Sequence, residues 1–206
     1  MKKLLTILFF SFVIVTNAQS DFKNFLKLST PIKRWVLLHP FKAKLSLKIS
    51  IETNKVADSI SSSNLLDKDG AGGQVDAFRH AYWMARLQQE VGTRAARSLG
   101  KAHEKDNYIT YKKLKLENGV LPDEIASEMD LHNNEEGLKL VTKGSVFSRK
   151  GLVYRVINAI YLGSMKIIKK DSKGNFLTCE GKIISVEELK GKWKNNKCLI
   201  SSKKAL

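Results

Sequence analysis

The chain has 206 residues, of which 36 are Lys or Arg and 20 are Asp or Glu, giving a formal net charge of +16. Hydrophobic residues make up 43% and charged residues 27%, which is typical of a globular protein and excludes a wholly disordered chain. Three Pro and 13 Gly exclude a collagen-like architecture, and two Cys are too few for a four-cysteine zinc site.

Residues 1–18 predict a secretory signal peptide. Lys2 and Lys3 precede a mostly apolar run, LLTILFFSFVIV, and small residues follow near Ala18. A positive start, a short apolar core and a small-residue end are what signal peptidase reads. The run is shorter than the roughly 20 residues that span a bilayer. We therefore expect a secreted or periplasmic protein with no transmembrane segment in its mature part, and an uncleaved anchor is the alternative.

Residues 19–60 are predicted to form basic N-terminal helices. Ser29-Thr30-Pro31 is typical of a helix start, and a second helix is expected from Pro40 to about Ile60. One row of residues at helical spacing predicts a largely buried stripe: Phe41, Leu45, Ile49, Glu52 and Val56. The lysines of this helix fall elsewhere, which favours a solvated basic face.

Residues 61–165 are predicted to form a helical core domain. After a loop over residues 61–73, helices are expected at Gln74–Val91, from Arg94 to about Lys105 with Thr93 as cap, and from Pro122 to at least Met129. Gly137 and Gly144 are expected to bracket the exit of that third helix. A short amphipathic helix is predicted at Arg149–Tyr161.

Residues 166–206 are predicted to form a short β appendage and a basic tail. The β-prone pieces are Met165–Lys169, Asn175–Cys179 and Lys182–Val186. The expected fold class is therefore mainly α, a single helical domain with a small C-terminal antiparallel β appendage. Export favours a disulfide between Cys179 and Cys198, and the alternative is two unpaired small hydrophobic residues.

The first polar cluster lies in the predicted helix Gln74–Val91. Asp76 and His80 are four residues apart and share a helix face that continues to Trp83, with Arg79 beside it. An acid four residues before a histidine can hold the tautomer of the imidazole and raise its basicity. The alternative is an ordinary helix pair with Trp83 in the core.

The second cluster is Ala102-His103-Glu104. It resembles the start of a metalloprotease zinc helix, but the second histidine of that motif should stand where Asn107 stands, so that interpretation fails. A solvated helix end is the alternative for this cluster.

The third cluster runs from Met129 to Gly137. Two adjacent asparagines within a helix are poor local choices, because their side chains compete with the backbone for hydrogen bonds. On a continuing helix Asp130 shares a face with Asn133 and Asn134, whereas His132 points away from it. A helix C-terminal cap is the alternative.

Together, Asp76-x-x-Arg79-His80-Ala81-x-Trp83, Ala102-His103-Glu104 and Met129-Asp130-Leu131-x-Asn133-Asn134-x-x-Gly137 resemble the motif series of an uncharacterised bacterial domain family. That family occurs in exported proteins and at the ends of some secreted polymorphic toxins. The resemblance covers roughly residues 60–165 and implies a mostly helical domain with one shared polar site, but no reaction. The site residues that it implies are Asp76, Arg79, His80, His103, Glu104, Asp130, Asn133 and Asn134.

One hypothesis is an exported hydrolase. His80, His103 and Asp130 would hold a divalent metal such as zinc with one position open for water, Glu104 would be the general base, and Arg79 would bind an anionic oxygen. Without a metal, His80 held by Asp76 would be the general base, and Asn133 or Asn134 would polarise the reacting group. The basic composition favours a phosphate-bearing or other polyanionic substrate.

The other hypothesis is a non-catalytic module that binds a cell-envelope polymer, anionic lipid or a partner protein, with the polar clusters as a structural network. Nucleic-acid binding through charge alone is compatible with the composition. However, the sequence carries no helix-turn-helix, zinc-finger or RRM signature.

Overall fold

The computed structural model describes residues 23–116 and 120–205, so the predicted signal peptide lies outside the described residues. The prediction of a mainly helical fold with a small antiparallel sheet near the C-terminus is confirmed. The elements, in chain order, are α1 (residues 23–27), α2 (Thr30–Leu38), α3 (Pro40–Ser61), α4 (Gln74–Val91), α5 (Thr93–Lys112), α6 (Glu124–Lys139), α7 (Arg149–Tyr161), β1 (Lys166–Ile168), α8 (Val186–Leu189), β2 (Leu199–Ser201) and a 3-10 helix (Ser202–Ala205).

Helix α4 is the central helix, and α3, α5, α6 and α7 all pack against it. Phe78 and Tyr82 are fully buried on the side of α6 and α7, whereas Met84 and Leu87 are buried on the side of α2 and α5. A helix that is covered on nearly every side loses most of its contact with water, so polar residues on it meet other protein groups instead.

The N-terminus of α4 is tied down by the loop before it. The Asp67 carboxylate accepts hydrogen bonds from the backbone N–H groups of Gln74, at 2.7 Å, and Val75, at 3.3 Å. These are two of the N–H groups that a helix start leaves without a partner inside the helix. The loop is thereby fixed beside the first turn of α4, which carries Asp76, the first residue of the first polar cluster.

The predicted buried stripe of α3 is wrong in part. Phe41 is fully exposed and Leu45 is exposed, and Ile49 is the member of the predicted row that is buried. The residues of α3 that face the fold are mostly small or polar: Ser46, Ile49, Thr53, Ala57 and Ile60. Small side chains let α3 lie close against α4, so close approach decided the buried face here rather than hydrophobicity alone.

Two helices extend beyond their predicted ends. α5 continues to Lys112 rather than stopping near Lys105, because its last turns pack Tyr108 and Tyr111 against Trp193 of the C-terminal segment. α6 continues to Lys139, so Gly137 lies inside the helix and not at its exit. Thr93 is the first residue of α5, not its cap.

The C-terminal sheet pairs β1 with β2, with Ile167 opposite Ile200. The two other predicted β pieces form only isolated bridges, Lys170 with Phe176 and Leu177 with Ile183. No strand was predicted from the sequence at β2. The disulfide Cys179–Cys198 joins the two halves of this appendage, with Cα atoms 4.9 Å apart.

None of the helices in the described part of the chain combines the length and the apolar character needed to cross a membrane.

Candidate functional site

Three acidic or imidazole side chains from two helices meet between α4 and α6. His80 Nε2 lies 3.2 Å from Asp130 Oδ1 and 3.6 Å from Asp76 Oδ1. One ligand atom from each residue lies within 4.8 Å of the other two, and all three residues are buried. The first and third sequence clusters are thus brought together by the packing of α4 on α6.

His80 is held so that one ring nitrogen faces the two carboxylates. Its Nδ1 atom lies 3.4 Å from Asn134 Oδ1, an arrangement that fits Nδ1–H as donor. Its Nε2 atom makes no hydrogen bond within the described part of the chain. Burial lowers the pKa of His80 well below 6.5, and the positive charge of Arg79 adds to the effect. The neutral His80 ring therefore faces the carboxylate oxygens through Nε2, which can bind a cation in the tautomer that carries its proton on Nδ1.

Asp76 is fixed by two donors. The Gly72 N–H donates to Asp76 Oδ2 at 2.7 Å, and Arg79 Nη2 donates to Asp76 Oδ1. The guanidinium balances part of the negative charge of the two carboxylates. Electron-rich atoms that converge from three residues repel one another unless a proton or a cation lies among them, so this cluster has the electrostatics of a cation site.

A cavity of about 560 Å³ opens beside His80. α4 contributes Arg79, His80 and Trp83 to its wall, and α5 contributes His103. The remaining wall is mainly α3, through Ser50, Thr53, Asn54, Ala57, Asp58 and Ser61, together with Gly70 of the preceding loop and Val75 from the first turn of α4. This volume suits a small or medium-sized ligand.

His103 faces this cavity but lies outside the group of three. Its ring centroid is 6.2 Å from that of His80 and 5.6 Å from that of Trp83, edge to face. The ligand group found in the described residues therefore has Asp76 where the sequence hypothesis placed His103. Burial, followed by the charge of Arg79, lowers the pKa of His103 from 6.5 to about 4, so its imidazole is neutral at pH 7.

The remaining residues of the sequence hypothesis take different places. Asn133 makes two hydrogen bonds to the backbone of Lys166, donating to its carbonyl at 2.9 Å and accepting from its N–H at 2.8 Å, which ties β1 to α6. Glu104 is buried, accepts a hydrogen bond from Asn107, and is not part of the cavity wall. His132, which was predicted to point away from Asp130, has its Nε2 atom 3.0 Å from the carbonyl oxygen of Ser164.

The α3 wall of the cavity was not predicted from the sequence. Ser50, Thr53, Ala57 and Ser61 recur at helical spacing, and this row of small and hydroxyl residues was the signal. Thr53 is 2% exposed, and its Oγ1 atom has no hydrogen-bond partner within residues 23–116 and 120–205.

The C-terminal segment also reaches the back of the site. Lys197 forms a buried ion pair with Asp123, the N-cap residue of α6, and its ammonium group lies 3.8 Å from the ring centroid of Phe176. All three line a small cavity that also touches Asp76 and Asp130. The appendage therefore contributes to the wall beside Asp76 and Asp130.

Residues 33–164 match the family described as domain of unknown function (DUF6973). The match covers more than half of the chain, and the chain belongs to this family. All eight residues of the sequence hypothesis, from Asp76 to Asn134, fall within the matched span. Neither the curated proteins nor the solved structures gave a match.

Proposed function

We propose that the protein is a divalent-metal-dependent hydrolase that acts on a phosphate ester or a similarly anionic substrate. Asp76, His80 and Asp130 are the proposed ligands. The observation that carries the proposal is the convergence of their three ligand atoms within 4.8 Å, in a buried place beside a cavity of about 560 Å³.

The spacing of these atoms suits a common ion. Ligands about 2 Å from a tetrahedral zinc ion lie about 3.3 Å from one another. The observed separations from His80 Nε2, 3.2 Å and 3.6 Å, are close to that value. A neutral imidazole and two carboxylates are also the donor types that zinc and manganese accept. Three protein ligands would leave a fourth position open for water.

A cation held there would supply Lewis-acid activation of water and of an anionic oxygen. Arg79 lies at the cavity wall and adds positive charge where a phosphate would sit. In the proposed hydrolysis, the oxygen of water bonds to phosphorus and the ester P–O bond breaks. The proton that water loses goes to neutral His103 and then to the leaving alcohol oxygen. A bound phosphate beside His103 would raise the pKa of its imidazole and so improve it as a base.

A binding module remains the second candidate, because several of the polar groups bond to the backbone. Asp76 accepts from the Gly72 N–H, and Asn133 bonds twice to Lys166. Such a network locks helices together without any chemistry. On this alternative, replacing His80 would lower the free energy of unfolding strongly, and no metal would bind.

We also propose that the protein works outside the cytoplasm, secreted or in the periplasm. The signal-peptide pattern of residues 1–18 and the Cys179–Cys198 disulfide both support export. Cell fractionation and N-terminal sequencing test this proposal. An exported chain that begins at Gln19 is the expected result, and a full-length cytoplasmic chain would contradict it.

Metal binding is the direct test of the hydrolase proposal. Protein stripped with a chelator is titrated with Zn²⁺ and Mn²⁺ by calorimetry, and one ion per chain is expected. Asp130→Asn and His80→Ala should bind at least about 100-fold more weakly. Asp58→Asn is the matched control, because Asp58 lines the same cavity but lies outside the group of three.

Activity is then measured on 4-nitrophenyl phosphate and bis(4-nitrophenyl) phosphate with the tightest-binding ion. The hydrolase proposal is supported if the wild type hydrolyses these esters, if a chelator abolishes this activity, and if Asp130→Asn lacks it. If the wild-type chain binds no ion, or if both variants bind it as the wild type does, the proposed site is wrong.

A further inference from the structure

A second cavity adjoins the proposed site. It has a volume of about 510 Å³ and lies among α1, α2, α3 and α5. Its wall is largely apolar and includes Phe25, Leu28, Ile32, Trp35, Val36 and Leu47. The space is a groove that opens at the surface, because Leu47 in its wall is exposed.

The two cavities share part of their walls. Ser50, Trp83 and His103 line both of them. The Trp83 Nε1–H donates to Ser50 Oγ at 2.9 Å, and the Trp83 ring packs edge to face on His103. A polar space with Arg79 and an apolar space therefore meet at this boundary.

The inner face of α3 runs along both cavities. Thr53 lines the polar cavity, Ser50 stands at the boundary, and Ser46 lines the apolar cavity. Ser46 is 2% exposed, and its Oγ atom, like that of Thr53, has no hydrogen-bond partner in the described part of the chain. Residues 46 and 53 are two turns apart, about 10 Å along the helix axis. The face of α3 that carries these three residues therefore forms one continuous wall along the two cavities.

We infer that the substrate is an amphiphile that joins a phosphate ester to an acyl or alkyl chain, the chemistry of phospholipids. The phosphate would lie beside Arg79 and the proposed metal ligands, and the chain would fill the apolar cavity. A volume of about 510 Å³ falls in the range of pockets that enclose most of a small ligand. This inference rests on the proposed function, because it assigns the substrate class of the same site.

Each methylene buried in the cavity should improve affinity about fourfold. Non-hydrolysable alkylphosphonates are suitable probes, because they keep the anionic head and vary only the chain. We expect the dissociation constant to fall from butylphosphonate to octylphosphonate by about two orders of magnitude. The probes are used below their micelle concentrations, with the chain beginning at Gln19 and with Zn²⁺ present.

The matched variants are Leu47→Lys and Ile51→Lys. Both residues are exposed on α3, so both variants should fold, but only Leu47 lines the apolar cavity. Leu47→Lys should weaken octylphosphonate binding about tenfold or more and leave butylphosphonate unchanged. Ile51→Lys should leave both unchanged.

The inference is supported if the dissociation constant falls with the length of the alkyl chain and if Leu47→Lys removes that dependence. Equal affinity for butylphosphonate and octylphosphonate overturns it and leaves the hydrolase proposal standing. Octanol that binds as tightly as octylphosphonate also overturns it, because the apolar cavity would then act without the phosphate site. Metal binding by calorimetry is read separately, so failure of the metal site is distinguishable from failure of the chain-binding cavity.

Discussion

Gly137 lies directly against the backbone of Ala81. A Cβ atom on residue 137 would come within 2.3 Å of the Ala81 carbonyl oxygen and 2.7 Å of its Cα atom. Real side chains do not reach such distances, so only glycine permits this crossing of α4 and α6. The crossing places Asp130, two turns earlier on α6, beside His80.

Replacing Gly137 should therefore damage both stability and the site. Gly137→Ala pushes two helix backbones apart, and we expect the free energy of unfolding to fall by about 3 kcal/mol or more. Metal affinity should fall as well, because His80 and Asp130 separate. Urea denaturation checks the first effect and calorimetry the second. Gly70→Ala is the stability control, since a Cβ there meets nothing within 4 Å. Equal stability of the two variants would contradict this account.

The adjacent asparagines should respond differently to substitution. Asn133→Ala leaves the backbone N–H and carbonyl of Lys166 without their partners, so about 2–4 kcal/mol of stability should be lost. Asn134→Leu removes the acceptor near His80 Nδ1 and should weaken metal binding about 10- to 100-fold. Denaturation and metal titration of both variants test this division. If Asn133→Ala loses metal affinity while its stability is unchanged, the assignment is wrong.

His103 should make the protein less stable in mild acid. Its folded-state pKa, about 4, lies below the ordinary value of 6.5 because of burial. Above pH 6.5 the His103 imidazole is neutral in both the folded and the unfolded chain, so its titration does not lower the free energy of unfolding there. As the pH falls from 6.5 toward 4, the unfolded chain binds the proton first, so up to about 3 kcal/mol is lost.

His103→Asn should flatten the fall of unfolding free energy between pH 6.5 and 4, measured in urea with a chelator present. Part of the fall should persist, because burial also lowers the pKa of His80. His132→Asn is the control, since that ring lies near the Ser164 carbonyl and away from the cavity. If the free energy of unfolding falls as steeply in His103→Asn as in the wild type, the His103 ring is not the cause of the fall.

The disulfide should stabilise the appendage behind the site. The Cys179–Cys198 bond closes a loop whose ends are 19 residues apart in sequence, and the chain-entropy model gives about 3 kcal/mol for it. The double variant Cys179→Ala/Cys198→Ala should unfold at correspondingly lower urea concentration. Dithiothreitol should destabilise the wild type and leave the double variant unchanged. A wild type that is indifferent to the reductant would refute the prediction.

Several helices were predictable because local chemistry determines them. The helices at Gln74–Val91 and Arg149–Tyr161 have the predicted bounds, and the interruption at His39-Pro40 separates α2 from α3. The shared face of Asp130, Asn133 and Asn134 was also expected, because helical geometry alone fixes which residues of one helix lie together.

The cavity wall from α3 was not predictable in the same way. Hydrophobic periodicity selected Phe41 and Leu45, which are exposed, over Ser46 and Thr53, which are buried. Periodicity reports which face is apolar. It does not report that a neighbouring helix approaches closely enough to need small side chains.

The sequence by itself determined the helical class and the polar residues that each helix carries. Only the tertiary structure decided that Asp76, and not His103, meets His80 and Asp130 within ligand distance. The physical reason is that the position of a residue on its own helix follows from local geometry, whereas the distance between residues on two helices depends on how closely those helices pack. At Gly137 and Ala81 that packing is set by the absence of a single side chain.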